Sequence, residues 1–300
     1  MRVAIAGATG VLGRATMPVL REAGHEVRGF ARHVPAGSAE LVALDLLDRD
    51  AVVGFAREWR PEAVVHLATA IPEQIKPRGV DEQFAATNRL RTEGTRNLID
   101  AARETGVRRI VSQSISFAVA PGDGLADESA PLWREPPMTT IAEAIGELER
   151  LTTEAGGVAL RFGLLAGAGT AYAADGSIGR MAGKGRIPII HRGGREAISS
   201  FVHPADAGRA VLAAVESDAS GVFNIVDDEP ARTSVWLPEL ARARGAKRDP
   251  RRIPAWLAKP LAGAYAVAFM TDMRGADNGK AKRELGWQPQ ISWREAFAEG

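Results

Sequence analysis

The chain of 300 residues contains no cysteine, which excludes disulfide staples, thiolate metal sites and thiol nucleophiles. Histidine is scarce: there are five, none in an H-E-x-x-H arrangement, so zinc chemistry has no ligand set and no metal site is expected. Tyrosine occurs only at Tyr172 and Tyr265. Charge of one sign is missing too. The 38 basic and 37 acidic residues leave a net +1, so no global field draws the chain to nucleic acid or an anionic membrane. No apolar run is long enough to span a bilayer, and the most apolar late segment, Leu261 to Met270, follows Lys259-Pro260. It reads as a buried or pocket-lining helix, or as an oligomer contact. The first residues already have the pattern of a core strand with no leader-like segment before them, so a cytoplasmic location is expected.

What is present is ordinary globular material, 45% hydrophobic and 25% charged, with one informative opening. Val3, Ile5 and Ala6 form a β-prone run directly before Gly7, and Gly10 and Gly13 follow. Leu12, Met17, Leu20 and Ala23 then recur at helical spacing. A strand, a glycine turn and a helix present unpaired N–H groups and the positive end of a helix dipole to an anion, usually a pyrophosphate. Gly7 permits the tight turn, Gly10 the close approach of phosphate, and Gly13 close packing of helix on strand. A bound dinucleotide is the expectation.

Strand and helix patterns then alternate. Strands are expected at 25–31, 41–44, 63–67 and 109–112, and helices at 51–59 and 84–102. That order favours a doubly wound parallel sheet of Rossmann type, an α/β fold whose ligands lie at the strand C-termini. Three strand ends matter for that reason. The second ends Phe30-Ala31-Arg32-His33, with no acidic residue between Val27 and Ala39. An acidic residue about 20 positions after the glycines would bind the ribose hydroxyls of NAD, whereas an arginine suits a 2′-phosphate. Arg32 therefore points to NADP(H) rather than NAD(H), with Arg14 as a second cation or a plain surface residue. Asp45, closing the third strand, is placed to accept from the adenine amino group or simply to shape a turn. Leu67-Ala68-Thr69-Ala70 closes the fourth with small side chains that let a cofactor pass close to backbone.

Taken together, Gly7 to Gly13, Asp45-Leu46, Val64 to Ala68, Gly94-Thr95-Arg96-Asn97-Leu98 and Leu160-Arg161-Phe162-Gly163 resemble the extended short-chain dehydrogenase/reductase superfamily. Phe201-Val202-His203-Pro204-Ala205-Asp206, Phe223-Asn224-Ile225 and Glu284-Leu285-Gly286-Trp287-Gln288-Pro289 are similar to its epimerase/dehydratase branch. The resemblance covers essentially the whole chain. It implies a nucleotide-binding Rossmann domain over 1–165 with a return segment at 201–226, and a smaller substrate-binding domain from 166–200 and 227–300. By the same resemblance, Gly7, Thr9, Gly10, Val11 and Leu12 hold the pyrophosphate and Arg32 the 2′-phosphate. Asp45 and Leu46 meet the adenine, and Leu67, Ala68 and Thr69 line the path to the nicotinamide ribose. Many relatives dimerise through two helices, equivalent to 84–102 and 141–154, so a homodimer is implied.

Catalysis departs from the family. Relatives carry a Ser or Thr after the fifth strand, then Tyr-x-x-x-Lys, in which the lysine and nicotinamide charges depress the tyrosine pKa for proton exchange. Ser114 falls at the serine position. Matching Glu149-Arg150-Leu151 to the family's segment puts Ile141 at the tyrosine position and Ile145 at the lysine position. Isoleucine neither donates nor ionises. Ser114 and Ser116 near the expected site, Thr139, Thr140 and Glu143 on the helix or its N-terminus, and Tyr172, His191 and Arg192 in the segment the resemblance assigns to the substrate side are the groups that could replace the relay, and water is another source. Gly163 and Ser199-Ser200 stand where nucleotide-sugar members often carry Asn and Arg, which argues against a nucleotide sugar. Leu164-Leu165-Ala166 and the 261–270 segment favour a less polar small molecule. The expectation is an atypical NADP(H)-dependent oxidoreductase acting on a small carbonyl or alcohol with a nonstandard proton donor. A non-catalytic NADP(H)-binding sensor, or a non-redox isomerase or cyclase using the same pocket, is the alternative.

Overall fold

The computed structural model describes residues 1–299. Seven parallel strands form its central sheet: β1 (Arg2–Ala6), β2 (Glu26–Ala31), β3 (Leu41–Ala43), β4 (Ala63–His66), β5 (Arg109–Ile115), β6 (Val158–Phe162) and β7 (Gly221–Ile225). Their order is β7-β6-β5-β4-β1-β2-β3. The chain therefore winds outward from β1 in one direction, then from β4 in the other, which opens a crevice at the reversal between β1 and β4. Alternation within β1 supplies both layers. Val3 and Ile5 face a core with Leu12, Met17 and Leu20 of α1 (Val11–Glu22) and Val211 of a later helix. Ala4 and Ala6 face a second core with Val52 and Trp59 of α2 (Arg49–Trp59) and Leu98 and Ile99 of a further one.

Two elements differ from the sequence expectation in ways that matter for the site. The fifth strand runs to Ile115, three residues past the expected end. The expected long helix over 84–102 is a column of three pieces: α3 (Val80–Arg89), a π turn (Leu90–Gly94) and α4 (Thr95–Thr105). Apolar periodicity is blind to a π turn, which widens the helix by one residue without breaking its stripe.

Helix α5 (Thr139–Glu154) lies against β5 and the π turn. Beyond β6 come α6 (Ser177–Gly183), α7 (Pro204–Glu216), whose Val211 packs beside α1, and α8 (Thr233–Ala243). Then follow α9 (Ala255–Thr271), α10 (Gly279–Glu284) and α11 (Trp293–Ala298). Tyr172, Phe201, Trp236, Trp293 and Phe297 build a separate aromatic core for the late segments, with Phe201 and Phe297 ring centroids 5.4 Å apart. The chain also returns to the sheet layer: Ala281, Leu285 and Trp287 pack into the α1/α7 core, and Trp287 Nε1 donates to the Asp206 carbonyl at 3.0 Å. In α9, Gly263 at φ 82 bends the helix, and a Cβ there would lie 2.2 Å from the Pro77 carbonyl oxygen. The 261–270 segment does not line the cleft described below. Val267, Ala268 and Met270 are core residues, while Leu261 is exposed. No helix among the described residues is long and apolar enough to cross a membrane.

Candidate active site

A cleft of about 700 Å³ opens outside the C-terminal ends of the central strands. The structure brings to its wall every residue expected to hold the dinucleotide: Gly7, Thr9, Gly10, Val11 and Leu12, then Arg32, Asp45, Leu46, Leu67, Ala68 and Thr69. The cradle fits an anion. Gly7 has φ +82, and a Cβ on it would sit 2.6 Å from the Ala68 backbone. A Cβ on Gly13 would lie 2.4 Å from the Gly7 carbonyl oxygen, so helix and strand meet closer than side chains allow. The α1 helix starts at N-cap Gly10 with no side-chain cap and no acidic residue in its first turn. Its first N–H groups and its dipole thus face the cleft without an internal anion.

Arg32 is exposed at the end of β2, with no hydrogen bond or ion pair to any described residue. Arg14 instead folds back to donate to the Thr9 carbonyl. Asp45 accepts from the Leu47 N–H at 3.0 Å through Oδ1, so the turn role is realised within the cleft wall. Behind Leu67 to Thr69, the buried His66 bonds the Leu90 carbonyl at 3.0 Å through Nε2, while the Ala68 N–H donates to its Nδ1 at 3.3 Å. Complete burial pushes its pKa down to about 4, which keeps the ring neutral and ties the cofactor path to the π turn.

The alternation of β5 decides which side chains reach the cleft. Gln113 and Ile115 line it. Ser112 and Ser114 point the other way, under α5: Thr152 Oγ1 donates to Ser112 Oγ at 2.8 Å, and Ser114 Oγ donates to Glu149 Oε1 at 2.6 Å. Glu149 in turn pairs with Arg161 at 2.7 and 2.8 Å, a buried triad. The Ser114 hydroxyl is thus engaged away from the cleft wall. Gln113 is a cleft residue that motif matching passed over; its signal was the period-two alternation of the strand.

Helix α5 contains no tyrosine and no lysine. Ile141 and Ile145 are fully buried in a cluster with Phe84, Ile115, Trp133 and Tyr265. The other polar candidates disperse. Thr140 donates to Asp81 at 2.6 Å, and Glu143 is exposed outside the cleft. Arg192 lies 3.4 Å from Asp272, and neither it nor His191 reaches the wall. Thr139 Oγ1 is enclosed without a partner, and Ser116 lies under a separate small depression. Tyr172 does line the cleft, with burial holding its hydroxyl protonated well above the ordinary range. Phe117, Phe162, Gly163, Leu164 and Leu165 also line this side, together with Thr170 and Ser177. At Gly163 a Cβ would lie 2.7 Å from the Ser200 carbonyl, so an amide side chain has no room there. Ser200 Oγ is occupied by the Ala276 N–H at 2.9 Å.

A Rossmann sheet with a glycine cradle at its switch point defines a dinucleotide-binding α/β protein, and the chain's relatives narrow the class. The profile of the NAD dependent epimerase/dehydratase family matches residues 3–226, and the chain belongs to that family. It is accordingly an enzyme of a nicotinamide-dependent family. The chain is 43% identical over 306 residues to the 3-diazoavenalumate denitrifying reductase of a Streptomyces species, covering 99% of both chains. It is 27% identical over 343 residues to the UDP-glucose 4-epimerase of Mycolicibacterium smegmatis, covering all of this chain and 97% of the other. Among solved structures, the UDP-glucose 4-epimerase of Thermus thermophilus in complex with NAD superposes with a TM-score of 0.75 at 22% identity, covering 100% and 97% of the two chains.

Proposed function

We propose that the chain is an NADPH-dependent reductase that replaces the nitrogen of an aromatic diazo compound with hydride, releasing dinitrogen. The observation that carries this reading is a cleft whose substrate side has no tyrosine-lysine pair. Ile115, Phe117, Leu164 and Leu165 give that wall an apolar stretch beside Gln113 and the buried Tyr172, and α5, where relatives carry tyrosine and lysine, offers Ile141 and Ile145 instead. The charged lining residues are all exposed. Arg32, His33 and Asp45 stand at the cofactor end, and Glu73 and Asp175 at the rim.

In this reading Gly7, Thr9, Gly10, Val11 and Leu12 hold the pyrophosphate, Arg32 the 2′-phosphate, and Asp45 and Leu46 the adenine. Leu67, Ala68 and Thr69 pass the nicotinamide ribose. Bound there, the reduced nicotinamide supplies a hydride. At a diazonium carbon a C–H bond forms as the C–N bond breaks, dinitrogen leaves with the bonding pair, and no proton is exchanged. A carbonyl acceptor would need a proton on the developing alkoxide, a contribution of roughly 10² to 10⁴ in rate, and the pKa of the Tyr172 hydroxyl on this wall is raised by burial, with no lysine acting on it to fit it to that task. Ser114 acts in this reading as a tie between β5 and α5. The apolar wall excludes water and flanks a flat ring. The name of the 43% relative, a denitrifying reductase of a diazo compound, supports the same chemistry. A homodimer through the helical stretches 84–102 and 141–154 remains part of the reading.

The test is turnover of an arenediazonium carboxylate with NADPH deuterated at the transferring carbon. Deuterium on the ring carbon that lost nitrogen, with dinitrogen released, is the expected result. Label arriving from solvent instead would overturn it, and tight NADPH binding without turnover would favour the sensor.

A further inference from the structure

The first two turns of α9 carry their large side chains outward. Ala255 and Ala258 are buried, while Trp256 is 75% exposed, Leu257 51% and Leu261 82%. A surface helix ordinarily turns its large apolar residues inward and its polar ones to water, so the pattern is reversed here. The stretch lines no part of the cleft. Cations flank it. Residues 247–261 hold five basic side chains and one acidic, in a chain whose net charge is only +1. Arg252 pairs with Glu196 at 3.0 Å, and the one carboxylate, Asp249, lies 3.7 Å from Arg242. Lys247, Arg248, Arg251 and Lys259 are exposed and make no ion pair to any described residue. Lys76 and Arg78 are equally exposed and unpaired, and the contact of Gly263 with the Pro77 carbonyl sets them beside the helix. Ile75, exposed as well, belongs to the same segment, which begins as cleft rim at Ile71, Pro72 and Glu73.

We infer that this face docks on an anionic lipid surface, with Trp256, Leu257 and Leu261 in the interfacial layer and the flanking cations at the headgroups. Helices that lie in a membrane interface combine Trp and Leu with Lys and Arg, and are held by apolar burial together with attraction to acidic lipid. Charge and shape choose this occupant. The unpaired cations call for an anionic partner, and a second copy in two-fold contact would set the same charge against itself. At helical spacing Pro260 falls between Trp256 and Leu257, with Leu261 beyond them, so the apolar groups form one continuous convex arc. A fluid interface takes up such a ridge without a matching groove. The balanced charge of the whole chain leaves the attraction local to this face. Docking there sets the 71–73 rim of the cleft beside the lipid.

The experiment measures binding of the full chain to phosphatidylcholine vesicles, with and without phosphatidylglycerol, by co-sedimentation and by tryptophan emission. The other five tryptophans are buried, so a blue shift on adding vesicles reports Trp256. The wild type is expected to bind the phosphatidylglycerol vesicles at least about tenfold more tightly than the neutral ones, with a blue shift, and to bind less as salt rises. The double variant W256S/L261S should lose co-sedimentation, and K247E/R251E should erase the lipid preference, with NADPH affinity unchanged in both. A wild type that binds neither vesicle overturns the inference and leaves the face to an acidic protein. Co-sedimentation that survives in W256S/L261S overturns it as a contact of charge alone. A wild-type dimer that W256S/L261S converts to monomer overturns it in favour of a second copy.

Discussion

Ser114 and Glu149 meet at 2.6 Å beneath α5, and the same carboxylate clamps Arg161 through both oxygens. The serine that motif matching selects is therefore the outer member of a buried charged triad. Glu149→Ala leaves the Arg161 guanidinium buried and uncompensated, and should cost about 3–5 kcal/mol in a urea titration. Ser114→Ala removes one hydrogen bond and leaves the ion pair, so about 1 kcal/mol is expected. Turnover by S114A should stay within a factor of about two or three of wild type, since less than 1 kcal/mol of transition-state stabilisation is at stake. A thousandfold loss of kcat with unchanged stability would return the hydroxyl to the chemistry.

Gln113, one residue earlier, faces the cleft half-buried, and its amide has no side-chain hydrogen bond to any described residue. It is a polar group on an otherwise apolar stretch of wall, positioned to orient a bound ring. Gln113→Leu should leave thermal stability near wild type and lower kcat/KM by about tenfold, with NADPH affinity unaffected. Parallel losses in NADPH binding would mean that the amide serves the cofactor.

Arg32 stands unpaired where β2 ends, beside the cradle of Gly7 and Gly10. A charge-assisted bond to a 2′-phosphate is worth about 1.5–3 kcal/mol, or roughly one to two decades of preference. Arg32→Asp should weaken NADPH by that amount and favour NADH, measured as the ratio of the two Kd values. An unchanged ratio would assign the selectivity elsewhere.

These residues show where sequence reasoning reaches and where it stops. That the expected residues share one edge was legible because backbone geometry dictates it: only glycine fits at Gly7 against Ala68, and strand ends deliver Arg32, Asp45 and Leu67 to the same cleft. The substrate end was less so. Whether Ser114 or Gln113 faces the cleft depends on the phase of a strand, which a serine-rich run does not reveal. The π turn at Leu90–Gly94 was hidden because it leaves the apolar stripe of its column intact, and the 261–270 run, expected as a buried or pocket-lining helix, packs Tyr265, Val267, Ala268 and Met270 into the core while Leu261 is exposed.

The pH dependence of stability tests two buried groups that pull in opposite directions. Asp227 is 2% exposed, and burial raises its carboxyl from 3.8 to about 7, opposed by the Trp293 N–H on Oδ2 at 2.9 Å. The folded chain keeps that proton where the unfolded chain has lost it. Its contribution to stability is present below about 3.8 and disappears as pH rises to about 7. His66 behaves oppositely. Its folded value of about 4 lies below the ordinary 6.5, so its contribution is present above 6.5 and is lost as pH falls through about 4. The two slopes largely cancel in the wild type. Asp227→Asn keeps an acceptor for Trp293 and removes one slope, exposing the other. Its stability should fall on acidification across that window by an amount on the order of 2–3 kcal/mol, read from urea titrations at each pH. If D227N and wild type instead trace parallel curves, Asp227 is ionised in the folded protein throughout, and its carboxylate is stabilised by the Trp293 and Glu229 N–H groups more than burial opposes it.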